Sequence, residues 1–200
     1  MTVRLGDYDT SNETDVPGPE DFAARRKVIN KKYKGTTMHD IAVIELNTPV
    51  TFKPHILPIC LPGNDDSFHH QEALVSGWGR IRNSQALYFG KLRQARVKVA
   101  SDAECLASYR RYADPNATLE SFLCAGIMSS NLCRGDSGGP LVVRRNGRAV
   151  LIGLASAALE NCDIPQLGYY TNVSFLMPWI RANTDQNELT ATRSEGIHRA

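Results

Sequence analysis

What the sequence lacks removes several large classes of protein. No block of like charge is longer than Arg25-Arg26-Lys27, and 23 basic against 21 acidic residues leave a formal net charge of only +2. A chain so balanced carries no footprint for nucleic acid or an anionic membrane surface, and neither is expected as a partner. The longest apolar stretch, Ala149 to Leu159, is about half the length of a membrane-spanning helix and is broken by Gly153 and Ser156. No Cys-x-x-Cys pair occurs and no histidine sits at zinc-finger spacing, so the five cysteines point to disulfides rather than a metal, and no cofactor is expected. Their odd number leaves one thiol over, either free or bonded to a segment outside this chain. Repeats and low-complexity tracts are absent, and Met1 to Gly6 does not read as a secretory signal peptide. Asn12, Asn116 and Asn172 nevertheless open Asn-x-Ser/Thr sequons, which are used only in a secretory compartment.

What is present is an ordinary globular chain of 200 residues, 42% of them hydrophobic, with more strand than helix signals. Ile41 to Leu46 is a short apolar run stopped by Asn47-Thr48-Pro49 and reads as a buried strand. Leu141-Val142-Val143 and Ala149 to Ile152 flank Asn146-Gly147, a pair that tolerates the positive φ of a type I′ hairpin turn. Further short strands are expected at Ala73 to Trp78 and Gly168 to Val173, and together these predict an all-β barrel or sandwich. Two helices are expected. One runs from Ser101 to Tyr109, opened by Ser101 and Glu104 as a capping box. The other runs from Val173 to Asn183, with Phe175, Leu176, Trp179 and Ile180 forming the face that docks on the barrel. The loops Asp9 to Asp21 and Gly63 to Gln71 are expected to be exposed, and the polar stretch 185–200 is expected to be a disordered tail.

Gly135-Asp136-Ser137-Gly138-Gly139-Pro140 carries the chemistry. Its glycines let the backbone turn tightly and bring amide N–H groups close to a reacting carbonyl oxygen, while Ser137 presents a hydroxyl nucleophile. This hexapeptide, Ser76-Gly77-Trp78-Gly79, the block His39 to Leu46 and the block Leu57-Pro58-Ile59-Cys60-Leu61-Pro62 resemble the chymotrypsin/trypsin family of serine proteases, in the same order and at similar spacing. The likeness runs from about Val3 to Ala182, and within the family the segment Val3 to Thr10 is most similar to arthropod clip-domain proteases of haemolymph cascades.

The resemblance implies an antiparallel double β-barrel with a C-terminal helix. Residues 1–184 would form the catalytic domain, with the second barrel complete from about Gln71 to Ile180 and the first incomplete. It assigns Ser137 as nucleophile, Asp40 as the aspartate that orients a catalytic histidine, and the N–H groups of Gly135 and Ser137 as the oxyanion hole. Asp136 matches the partner of the N-terminus that zymogen cleavage liberates. The histidine is missing from its family position: only 39 residues precede Asp40, and His39 beside it would point to the other side of a strand. His55, His69, His70 and His198 stand where the family places no catalytic group. The resemblance pairs Cys105 with Cys124 and Cys133 with Cys162, and matches Cys60 to a cysteine bonded to an upstream pro-segment.

The implied specificity pocket has Asn131 at its floor with Leu132 beside it, Ser156-Ala157-Ala158 as one wall and Gly168 opposite. An uncharged floor offers no strong partner to a cationic side chain. The reading is therefore a secreted serine endopeptidase domain acting on protein substrates, truncated at its N-terminus and inactive as given. The alternative is a non-catalytic homologue that serves as a binding or regulatory module. A cytosolic short form is disfavoured because half a barrel leaves sheet edges open.

Overall fold

The computed structural model describes residues 1–12, 16–64, 66–82, 90–112, 119, 121–126, 132–158 and 166–184. Its strands are β1 (Thr2–Leu5), β2 (Glu20–Ile29), β3 (Ala42–Leu46), β4 (Glu72–Gly77), β5 (Arg93–Val99), β6 (Phe122–Gly126), β7 (Pro140–Arg145), β8 (Arg148–Ala157) and β9 (Leu167–Asn172), and its helices are α1 (Asp102–Tyr112) and α2 (Val173–Asn183). All strand pairs within the sheets are antiparallel. β4-β5-β6-β9-β8-β7 close into a barrel, whereas β1-β2-β3 form an open three-stranded sheet. The expected double barrel is thus one complete barrel and one incomplete one.

The closed barrel is where apolar surface leaves water. Ile152 and Leu141 from the facing strands β8 and β7 are 0% exposed, with Val143, Val99 and Tyr170 packed in the same core. No residue of β1, β2 or β3 reaches that depth. The run Ile41 to Leu46 is accordingly not a buried strand. Ile41 is buried against α2, but β3 alternates and leaves Ile44 41% exposed, because no second layer among the described residues covers the sheet.

Local expectations for the other elements hold with small shifts. β7 and β8 join through Asn146 and Gly147 at φ 52° and 76°, the positive values that a type I′ turn requires. Ser101 and Glu104 form the capping box at α1: Ser101 Oγ accepts from Glu104 N at 3.3 Å, and Glu104 Oε2 accepts from Ser101 N at 2.8 Å. α2 begins at Asn172, whose side-chain oxygen accepts from Phe175 N at 3.2 Å, so one sequon asparagine serves as a helix cap. The buried stripe of α2 is Val173, Leu176, Met177 and Ile180, and Phe175 faces outward at 45% exposure instead of docking. Two residues in loops expected to be exposed are also buried. Phe68 inserts into the barrel core, and Asp9 folds back on itself, its Oδ1 accepting from Ser11 N and Ser11 Oγ.

Candidate functional site

The Gly135–Pro140 turn enters β7 and is sewn to β8 by backbone hydrogen bonds. Gly138 N donates to Ala155 O at 2.7 Å, and Ala155 N donates to Gly139 O at 2.8 Å. Gly135 and Gly138 hold φ of 99° and 82°, conformations that a side chain would strain. Between them Ser137 is exposed, and its hydroxyl has no hydrogen-bond partner among the described residues.

Asp40 reaches the same stretch of β8 from the other side. Ser156 Oγ donates to Asp40 Oδ2 at 2.7 Å, and Thr171 Oγ1 of β9 donates to Asp40 O at 2.6 Å. The preceding turn is held by the barrel as well: His39 N donates to Ser121 Oγ at 2.6 Å, and Thr37 Oγ1 donates to Tyr109 Oη at 2.8 Å. Thr37, Ser121 and Thr171 are buried, so these bonds form where water competes least. Ser137 and Asp40 are therefore joined through adjacent residues, from Ser137-Gly138 across to Ala155-Ser156 and from Ser156 to Asp40. His39 lies in a turn at φ 56°, not on a strand, and its ring rests 6.1 Å from that of Phe175.

Asp136 turns inward. Its Oδ1 accepts from Gly79 N at 2.9 Å and its Oδ2 from Cys133 N at 3.1 Å, with no ion pair among the described residues. Burial pushes its carboxyl above the usual aspartate range, and the two amide donors only partly offset that. Burial, with the nearby Asp136 charge adding to it, pushes the Tyr170 hydroxyl up. The carboxylate lines a cavity of about 490 Å³ with Tyr8, Leu132 and residues of β4 and β5.

Around the implied specificity pocket, Leu132 is buried and packs on Gly168, where an added Cβ would come within 3.0 Å of Leu132 Cδ1. Ser156 spends its hydroxyl on Asp40, Ala157 and Ala158 are half-buried, and Asn131 lies outside the described residues. Cys105 and Cys124 form a disulfide, Cα–Cα 5.3 Å. Cys133 is disulfide-bonded, its expected partner Cys162 lies outside the described residues, and Cys60 is a half-buried free thiol. His69 Nε2 lies 3.0 Å from Asp102 Oδ1, and no cluster able to hold a metal occurs among the described residues. Sequence reasoning missed Thr37, Ser121 and Thr171. The available signal was a hydroxyl residue at or beside strands whose neighbours are apolar.

A family model described as Trypsin matches residues 1–180. Among curated proteins, the chain is 33% identical to serine protease filzig of Drosophila melanogaster over 189 residues, covering 92% of this chain and 11% of that protein. It is 32% identical to serine proteinase stubble of the same organism, covering 90% and 23%. It is also 32% identical to venom serine protease Bi-VSP of Bombus ignitus, covering 88% and 52%. The chain thus spans from about a tenth to about half the length of these relatives.

Proposed function

Because the chain belongs to the trypsin family of serine proteases, we propose that it is the Ser137-bearing part of an endopeptidase that cleaves protein substrates through an acyl-enzyme. The observation that carries this reading is the hydrogen-bonded path from Ser137 through Ala155 and Ser156 to Asp40. An imidazole placed between the hydroxyl and the carboxylate would take the Ser137 proton as Oγ attacks the peptide carbonyl carbon. The carbonyl oxygen would become an oxyanion held by the Gly135 and Ser137 N–H groups, the amine would leave with the proton, and water would then cleave the ester. Asp136, half-buried and without a cation among the described residues, fits the partner of a liberated N-terminal ammonium.

Leu132 packed on Gly168 places an apolar side chain at the wall of the implied pocket, which supports an uncharged substrate side chain. The disulfides support an oxidising, extracellular setting, and Cys60 is free to bond a pro-segment. A venom protease among the relatives agrees with secretion. The 200-residue chain is expected to be inactive alone, since loss of the base in such a triad lowers turnover by about a millionfold.

An active-site phosphonate tests this. It should leave Ser137 of the short chain unlabelled and should label Ser137 of a longer parent carrying the histidine, once that parent is cleaved at its activation site. Rapid labelling of the short chain would mean that another residue supplies the base. An activated parent that resists labelling would favour the non-catalytic, regulatory reading, with which the Ser137 hydroxyl, unpartnered among the described residues, also agrees.

A further inference from the structure

On the face of the molecule formed by the end of β2 and the outer side of α2 lies a groove of about 510 Å³, within the size range of small-molecule sites. Its walls are apolar. Ile29, 51% exposed at the end of β2, faces Phe175 and Trp179 of α2, and Phe175 is itself 45% exposed. Two large apolar side chains left in water at one groove are an unspent driving force for a ligand with an apolar body.

The polar groups of the groove have one sign. Lys31 and Lys32 follow β2 on an exposed turn, neither has an acidic partner among the described residues, and no described acidic side chain lines the groove. His39 completes the lining, and its Nδ1 is shut off from solvent with no hydrogen-bond partner among the described residues. The ring is not placed there by default. Its backbone holds φ 56°, a left-handed conformation that strains a residue bearing a Cβ, and the Ser121 hydroxyl pins its amide. A strained imidazole, two ammonium groups unpaired among the described residues, the exposed Phe175 ring and the half-buried Trp179 ring meet in one groove.

We infer that this groove binds an aromatic carboxylate, its rings between Phe175, Trp179 and Ile29 and its carboxylate toward Lys31, Lys32 and His39. Charge complementarity selects the anion, and the facing aromatic rings select a flat apolar body. The inference makes no use of Ser137, and it stands or falls separately from the proposed proteolysis.

The experiment titrates the 200-residue chain with 2-naphthoate and, as the uncharged control, 2-naphthalenemethanol, following the two tryptophan indole N–H signals and the histidine rings by NMR. Saturable shifts are expected at Trp179 and His39 and not at Trp78, and the alcohol should bind about tenfold or more weakly. The double substitution Lys31→Glu with Lys32→Glu should weaken naphthoate by about tenfold or more with the unfolding midpoint unchanged, since both side chains are exposed. Phe175→Ala should weaken both ligands. Equal binding of acid and alcohol, indifference to the charge reversal, or shifts centred on Trp78 would overturn the assignment. So would Trp179 shifts that follow protein concentration before any ligand is added, because a second copy of the chain would then be the occupant.

Discussion

Removing the hydroxyl of Ser156 takes away the bond that ties the Asp40 carboxylate to β8 and leaves a half-buried charge with one donor fewer. Ser156→Ala should therefore destabilise the chain by about 1.5 to 3 kcal/mol in urea unfolding, the range for hydrogen bonds to charged groups. Asp136 behaves in the opposite sense to the carboxylates that ordinarily govern acid stability. Its folded pKa is raised, so its charge opposes folding at neutral pH, and that opposition is relieved as pH falls through the raised value toward the ordinary aspartate value of about 4. Asp21 and Asp66, held low by hydrogen bonds from Arg4 and from Gly63 with Arg145, contribute stability that is lost as pH falls through their lowered values. The unfolding free energy of the wild type minus that of Asp136→Asn should thus rise as pH falls from 7 to about 4 and level off below. A flat difference would mean that burial does not perturb this carboxyl.

At the scale of elements, the two sheets differ in what truncating an isoleucine does. Ile152→Ala empties part of the closed barrel and should destabilise by about 2 to 5 kcal/mol, while Ile44→Ala on the open sheet should change stability by no more than about 1 kcal/mol. The hairpin around Asn146-Gly147, the capping box of α1 and the span of α2 were legible because each is written in neighbouring residues. β3 was misjudged because a continuous apolar run looks the same whether or not a second layer covers it, and no neighbour in sequence reports the layer. The site divides in the same way. The Gly135–Pro140 turn announces itself, but the hydroxyls of Ser121 and Thr171 act on residues 82 and 131 positions away and carry no local mark. Phe175 fits the periodic pattern of a buried face and still points outward, since the true stripe of α2 runs through Val173, Met177 and Ile180.

For the molecule as a whole, the seam between the open sheet and the closed barrel is the informative feature. The turn that carries Asp40 leads into β3, yet its hydrogen bonds go to Tyr109, Ser121, Ser156 and Thr171. By sequence the turn belongs to the open sheet, and by attachment it belongs to the barrel. Local opening follows attachment, because cooperative units are set by packing and hydrogen bonding. The sheet amides of β1 to β3 should therefore exchange with deuterium early, and the barrel amides late. The His39 amide, tied to buried Ser121, should exchange on the barrel's schedule despite lying only three residues before β3. If it exchanges with β3 instead, the seam lies on the other side of Asp40. If it exchanges with the barrel, the three-stranded sheet can melt or be clipped by a protease and still leave Asp40 tied to Ser156 of β8.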